Sequence, residues 1–426
     1  MMKLPKNRDL RRILMAQVPA DFADWLDYVA IISLFTYTWS VEPIYFAFFA
    51  LAFSLPYLIV GPFSGALVDR CDLKTVMVWS NLGRAASTFA LAFAGQPELV
   101  LVLVFIRSSV DSFFSPAKQT AIQVLAEKSE LMATNSLSQI LNQASKIVGP
   151  AVGGALLIFV SSQSVFVVNG FVSLLALAIL LWLPKGLRPK NSGETEAGAT
   201  DQKKMGIFAE IAEGYKTVGR IPALWVTIGL GAFGFFAIFL HDTLIGPVTK
   251  LLGFDQSILG LTVTAVGAGG VLGALAVGSI KRPIHPYALI GPGMFIASLF
   301  TLLLGFAATN MWAFPLWIFV PGAFVIGFAS SGIFVPMRTV LQLETPPDKM
   351  GRVTAVSEAV TVTAMMGAPF IGAMLATNYG LGVPFVIGGG LSLVLGLGTI
   401  ALIPFIKFKK ADEQPDSQEA ELANAS

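Results

Sequence analysis

Twelve apolar stretches, each about 20 residues or longer, run the length of this 426-residue chain, and a helix of that size is what crosses ~30 Å of hydrocarbon. They fall at 13–37, 44–68, 75–95, 98–117, 135–160 and 163–183, then at 223–249, 257–280, 285–308, 313–336, 353–378 and 382–406. Few folds remain open to such a chain. Apolar residues make up 55% of it and charged residues 13%, a balance far from that of a soluble enzyme. The predicted fold class is an all-α membrane protein of twelve transmembrane helices.

Positive charge sets the orientation. With the N-terminus, the even-to-odd loops and the C-terminus on one side, that side takes every Lys and Arg except Lys250 and three inside spans, Arg84, Arg107 and Lys146. Lys118 and Lys128 count here as charges of the loop after span 4. The positive-inside rule then predicts cytoplasmic termini, and the expected location is the plasma membrane. The run Met1–Arg12 before the first stretch lacks a small-residue cleavage site, and three aspartates follow, so it reads as an uncleaved span and not a secretory signal. Cys71 is the single cysteine and His241 and His285 the only histidines, which leaves no disulfide and no cluster for a metal. Neither a Walker motif nor a catalytic constellation is present, so no cofactor and no enzymatic activity is expected.

The polar interruption at 184–222 divides the chain into halves of six spans, 1–183 and 223–406, followed by a tail, 407–426, predicted to be disordered. Within the linker, Ile207, Phe208, Ile211, Tyr215 and Val218 are spaced for a short helix on the cytoplasmic surface. The halves echo each other. Val148-Gly149-Pro150-Ala151-Val152-Gly153-Gly154 returns as Gly367-Ala368-Pro369-Phe370-Ile371-Gly372-Ala373, and Ser115-Pro116-Ala117-Lys118 as Val335-Pro336-Met337-Arg338. More weakly, Gly65-Ala66-Leu67 is echoed by Gly273-Ala274-Leu275. Parallel repeats of this kind imply two bundles with a binding site between them near the midplane.

Embedded charge is confined to a few spans: Asp21, Asp24 and Asp27 in span 1, Arg84 in span 3, Arg107 and Asp111 in span 4, and Lys146 in span 5. His241 and Asp242 in span 7 and Glu358 in span 11 are secondary candidates. Each such charge costs about 2.5–3.5 kcal/mol at a helix centre, so the set must face protein or water. On span 1, Gln17, Asp21, Asp24, Asp27 and Tyr28 share an arc of about 120°. Arg107 and Asp111, four residues apart, are placed to form a switching pair. Asn135, Gln139, Asn142 and Lys146 make one polar stripe on span 5, with Asn142 and Lys146 expected to line a cavity. Six embedded acids face three fixed bases, so some carboxylate lacks a counter-charge. Out of water such a group holds a proton more readily, which suits proton coupling, and it would equally attract a cationic substrate.

The stretch Gly61-Pro-Phe-Ser-Gly65-Ala-Leu-Val-Asp69-Arg70-Cys71-Asp72-Leu73-Lys74 resembles the loop 2–3 signature of the major facilitator superfamily. It keeps Gly65, Asp69, Arg70 and Lys74 and departs at Asp72, usually Gly, and Leu73, usually basic. The resemblance, which covers nearly the whole chain, implies that this loop latches the bundles, Asp69 engaging the start of span 11 near Arg352. Arg107 resembles the antiporters' second-motif arginine, implicated in proton transfer, without the glycines expected after it. Gly149, Pro150, Gly153 and Gly154 resemble the span 5 motif of drug–proton antiporters, small residues that let bundles approach. Phe105-Ile106-Arg107 through Leu157, Met350-Gly351-Arg352-Val353 and Ala23-Asp24-Trp25 are similar to the macrolide-efflux and enterobactin-exporter branch. Phe114-Ser115-Pro116-Ala117-Lys118 and Phe334-Val335-Pro336 also resemble bacterial lysophospholipid transporters.

The resemblance thus implies a proton-coupled exporter of an amphipathic small molecule, with a lysophospholipid transporter as the alternative. Asp24, with Asp27 or Asp21, would carry protons and touch substrate. The expected partners are a small-molecule or lipid substrate, protons and the bilayer, with no nucleic acid, and the expected state is a monomer.

Overall fold

A computed structural model describes residues 5–68, 70–188, 215–280, 284–310, 314–345 and 349–404, and every regular element among them is helical. In chain order these are α1 (Arg8–Ser33), continued by a π-helical turn (Leu34–Trp39), α2 (Pro43–Ile59), α3 (Gly61–Val68), α4 (Leu73–Ala92), α5 (Pro97–Asp111), α6 (Phe114–Leu125), α7 (Lys128–Phe159) and α8 (Ser162–Leu181). Then come α9 (Pro222–Phe239), a 3₁₀ turn (Asp242–Leu244), α10 (Ile245–Leu251), α11 (Gln256–Gly278), α12 (Tyr287–Asn310), α13 (Leu316–Glu344), α14 (Met350–Tyr379) and α15 (Val383–Leu402).

The starts of these helices are written locally. Side chains of Asn7, Asp72, Ser161 and Asp255 accept from the backbone N–H of Asp9, Thr75, Ser164 and Ile258, satisfying donors that a first helical turn leaves open. Proline stands in the first turn of α2, α5, α9 and α15, where its missing N–H costs nothing.

The described residues of the twelve apolar stretches lie mostly on helix, but several stretches are interrupted. Span 2 breaks between α2 and α3 and span 4 between α5 and α6, and span 7 breaks at 240–244. The helix of span 4 also runs on to Leu125, so Lys118, expected in a loop, is buried on α6. Among the described residues, eight helical stretches are long and apolar enough by themselves to cross a membrane. Of the remainder, α1, α4 and α7 are the helices diluted by embedded polar residues, and α2 is short. Of the predicted surface helix, residues 207–214 lie outside the described residues and 215–220 are helical; the tail 407–426 is also outside them.

In the first half, α1 packs between α7 and α8, α4 against α8 and α5, and α2 against α5. In the second, α11 and α12 pack on α13, α12 on α15, and α9 on α14 and α15. Two helix–helix packings dominate the join between the halves, α7 on α11 and α2 on α14, and smaller ones set the 3₁₀ turn on α2 and α10 on the π turn. Their closeness depends on glycine. A Cβ on Gly154 would overlap the carbonyl oxygen of Gly260 and lie 3.1 Å from Thr264 N, so only glycine lets these backbones meet.

The apolar core is distributed unevenly along the helices. Let the proximal end be the one holding the start of α1, and the distal end the one holding its π turn. At the distal end a single buried cluster takes in Ile31, Phe35, Phe46 and Leu157 of the first half together with Leu244, Leu259, Phe319 and Phe385 of the second. Toward the proximal end the clusters separate, one around Leu10, Leu73 and Phe114, the others within the second half. Among the described residues, the buried core that spans both halves lies at the distal end.

Candidate functional site

Three aspartates and two arginines from α1, α4 and α5 meet in one buried network. Asp24 Oδ1 receives Arg84 Nη2 at 2.8 Å and Arg107 Nη2 at 2.7 Å. Arg84 Nη1 reaches Asp111 Oδ1 at 2.7 Å, and Arg107 Nε reaches Asp27 Oδ2 at 2.7 Å. Neutral groups complete the shell. Thr88 and Asn169 donate to Asp27 at 3.0 and 2.7 Å, the Tyr57 hydroxyl donates to Asp111, and Arg84 also donates to the carbonyl of Ala20. Helical spacing makes this possible: Asp24 and Asp27 are three residues apart on α1, and Arg84 and Thr88 are four apart on α4.

Two properties set the chemistry of this network. With every group ionised, three carboxylates face two guanidiniums, so it carries one excess negative charge. Its members also differ in access: the Asp24 side chain is 19% exposed and that of Asp111 9%, while those of Asp27, Arg84 and Arg107 are 1–2% exposed. Asp24 is therefore the most exposed member, and it is also the one that joins the arginines. A proton or cation arriving there would loosen both ion pairs at once.

The expected Arg107–Asp111 pair does not form. Arg107 turns to Asp24 and Asp27 on α1, and Asp111 turns to Arg84 on α4. Asp21 stands beside the network, accepting from Gln17 at 2.8 Å and from Asn142 at 3.1 Å. Lys146 and Glu358 are both exposed. One turn before Lys146, Gln143, with its amide oxygen turned outward, accepts from Arg338 of the second half at 3.0 Å. His241 stacks on Phe385 with ring centroids 4.7 Å apart, and Asp242 accepts from the Tyr28 hydroxyl across the two halves.

The glycine motif of α7 serves two neighbours. Gly149 lies under Trp25 and Gly153 under Leu26 and Val29 of α1, whereas Gly154 meets α11; Pro150 lies within the same helix. Of the expected latch, Asp69 lies outside the described residues. Gly65 lies on α3, Arg70 is exposed, and Arg352 lies on the first turn of α14. Lys74 donates to the carbonyls of Leu181 and Leu183, an attachment to the end of α8 within its own half.

Sequence reasoning named Arg84 as embedded but gave it no role, and it missed Tyr57, Thr88 and Asn169. The signal for Arg84 was its cost at mid-span; lone hydroxyls and amides carry no comparable signal. Lys118 was misplaced altogether. It is buried, and among the described residues its ammonium meets the Phe114 ring, 5.7 Å from the centroid.

The distal end is closed by polar contacts as well as by the shared core. Lys250 donates to the carbonyl of Thr36 at 2.9 Å and to Ser40, Tyr37 to the carbonyl of Phe254 at 3.2 Å, and Gln256 to that of Val160 at 3.1 Å. Thr264 donates to the carbonyl of Ala151 at 2.9 Å.

Comparison with known proteins places these features. The family model of the Major Facilitator Superfamily matches residues 13–357 and 286–425. The chain is 29% identical to the MFS-type transporter YfiS of Bacillus subtilis (strain 168), over 92% of this chain and 93% of that protein. It is 23% identical to macrolide efflux protein A of Streptococcus pyogenes, over 80% and 83%. Among solved structures, a bacterial homolog of the human lysosomal transporter Spinster, in an inward-facing and unoccupied conformation, superposes with a TM-score of 0.67 at 15% identity, covering 94% of this chain and 96% of that one. The nucleoside transporter NupG superposes with a TM-score of 0.66 at 14% identity, over 95% and 100%.

Proposed function

We propose, from the premise that this chain belongs to the major facilitator superfamily and is a multi-pass membrane transporter, that it exports an amphipathic small molecule in exchange for protons. The observation that carries this reading is the α1–α4–α5 network, with its surplus carboxylate and its most exposed member, Asp24. In the proposed arrangement all twelve apolar stretches span the plasma membrane with both termini cytoplasmic. Residues 1–183 and 223–406 form two six-helix bundles joined by the linker 184–222. Alternating access then consists of rocking about the α7–α11 and α2–α14 contacts. The fused distal core and separate proximal cores suit a state sealed on the outer side and open to the cytoplasm.

Arg107 and Arg84 hold Asp24 ionised and in place until a proton neutralises it. Asp27 and Asp111 keep the arginines from leaving when it does. Asp21 with Asn142, and Lys146 nearer the opening, would contact substrate, and Gly65, Asp69, Arg70, Lys74 and Arg352 would latch the cytoplasmic side in the opposite state. Export is favoured by the likeness to macrolide efflux protein A. The lysophospholipid alternative draws no comparable support from these relatives.

The test is uptake of a labelled macrolide into acid-loaded proteoliposomes, read for vesicles whose proximal face is outward. Wild-type protein should concentrate the compound inside, and Asp24→Asn should insert normally yet lose gradient-driven uptake. Full activity in that variant would remove Asp24 from the mechanism.

A further inference from the structure

Asp242 owes its position to the break in span 7. The α-helical ladder of α9 ends at Phe239, His241 departs to φ −130° and ψ −11°, and residues 242–244 make one 3₁₀ turn before α10 begins. That turn packs against both α2 and α14, the helices that join the halves. A Cβ on Gly372 of α14 would overlap the carbonyl of Leu240, so the break is seated directly on α14. The His241 ring is engaged by Phe385 of α15, and a Cβ on Gly388 would lie 2.8 Å from its Cδ2. Asp242 is left facing α1.

There its Oδ2 accepts from the Tyr28 hydroxyl. The Tyr28 ring is fixed by Trp25, Phe49 and Phe53, with centroids 5.8, 5.3 and 5.9 Å away, so the hydroxyl is presented from a rigid cage. Among the described residues Asp242 has no cation within ion-pair distance. The titratable groups that face it are Tyr28 on α1 and, on its own segment, His241. Along α2 the only titratable side chains are Tyr45 and Tyr57, engaged by Glu98 and Asp111. On α14, Arg352 and Glu358 lie toward the proximal end, and α15 carries no ionisable residue.

The other distal bonds between the halves end on backbone carbonyls or on a serine hydroxyl, acceptors whose charge does not change with pH. Among the described residues, only the Tyr28 bond ends on a carboxylate. A hydrogen bond to an ionised acceptor is about twice as strong as one to a neutral acceptor. Tyr28 also follows Asp27 directly and stands one turn beyond Asp24, so α1 ties this bond to the arginine network.

We propose that Asp242 is the proton site of the second half: ionised, it holds Tyr28 and keeps the distal end closed; protonated, it lets that end open. The step is the transfer of one proton from water to the carboxylate, with Tyr28 keeping its own proton throughout. The inference rests on the proton-coupled reading above and extends it to a carboxylate outside the arginine network.

The experiment uses full-length protein in nanodiscs with Cys71→Ala and spin labels at Glu42→Cys and Asn378→Cys, distal positions on opposite halves. Pulsed EPR distances are read across pH. Acidification should move the wild-type background from a short to a long distance population. Asp242→Asn should show the long population at every pH, as should Tyr28→Phe, which leaves the carboxylate intact and guards against a folding defect in the first variant. Asp24→Asn should keep the acid response. An unchanged acid response in Asp242→Asn and Tyr28→Phe, or no response in the wild-type background, would overturn the proposal. If macrolide exchange fails while the response persists, the export reading falls and the gate stands. If exchange succeeds without the response, the gate alone is wrong.

Discussion

Replacing Arg107 with alanine tests the network at its most buried joint. The side chain is 2% exposed and reaches both Asp24 and Asp27 at 2.7 Å. Removing it leaves Asp24 with Arg84 at 2.8 Å, so Asp24 remains paired. Asp27 does not: it is left buried with Thr88 and Asn169 as its remaining partners. Breaking a buried pair from one side costs about 3–5 kcal/mol, because a charge stays behind without compensation. Asp27→Asn alone should cost less, about 1.5–3 kcal/mol, since the guanidinium keeps Asp24. The double variant Arg107→Ala with Asp27→Asn removes both charges and should be more stable than Arg107→Ala alone. Equilibrium unfolding of the purified protein in mixed micelles measures all three. A cost below about 1 kcal/mol for Arg107→Ala would refute the reasoning, as would strict additivity of the two substitutions. Rescue by Asp111→Asn in place of Asp27→Asn would instead mean that Asp111 is the partner of Arg107, the i, i+4 pair that the geometry rejects.

Gly154→Val should cost about 1–3 kcal/mol and suppress transport with normal membrane insertion, because the new side chain forces α7 from α11; wild-type uptake would argue that this contact is not a pivot. Asp255 caps α11, and the Ser257 hydroxyl at 2.6 Å, then the Ile258 N–H at 3.0 Å, hold its carboxyl below the ordinary range. Its folded value is depressed, so the cap's contribution is present above the unfolded aspartate value of about 4 and is lost as pH falls through the lower folded value. Hydrogen exchange at the start of α11 should therefore rise on acidification below that range in the wild type. Asp255→Ala should show fast exchange already at neutral pH, with a loss of about 0.5–2 kcal/mol.

The helices were legible because hydropathy over about 20 residues is a property of composition alone. Their interruptions were not. Phe239-Leu240-His241-Asp242-Thr243 reads as continuing an apolar run, and only the seating of Leu240 on Gly372 fixes where the ladder breaks. Asp24, Asp27 and Arg107 announced themselves through the cost of burying charge, but their pairing depends on how α1, α4 and α5 are rotated, which spacing on one helix cannot supply. Lys118 was misjudged because hydropathy falls before the helix ends: α6 carries a polar residue into a buried place. The small residues of α7 were read as a surface where the two bundles approach; Gly154 meets α11, whereas Gly149 and Gly153 face α1 within the same half.

The claim on which the rest depends is that an intramembrane carboxylate at Asp24 exchanges a proton, and infrared difference spectroscopy of the purified protein titrated across pH measures that without knowledge of the cargo. The wild type should develop a carboxylic-acid carbonyl band on acidification, part of which is missing from Asp24→Asn at every pH. Identical difference spectra for the two proteins would contradict the account.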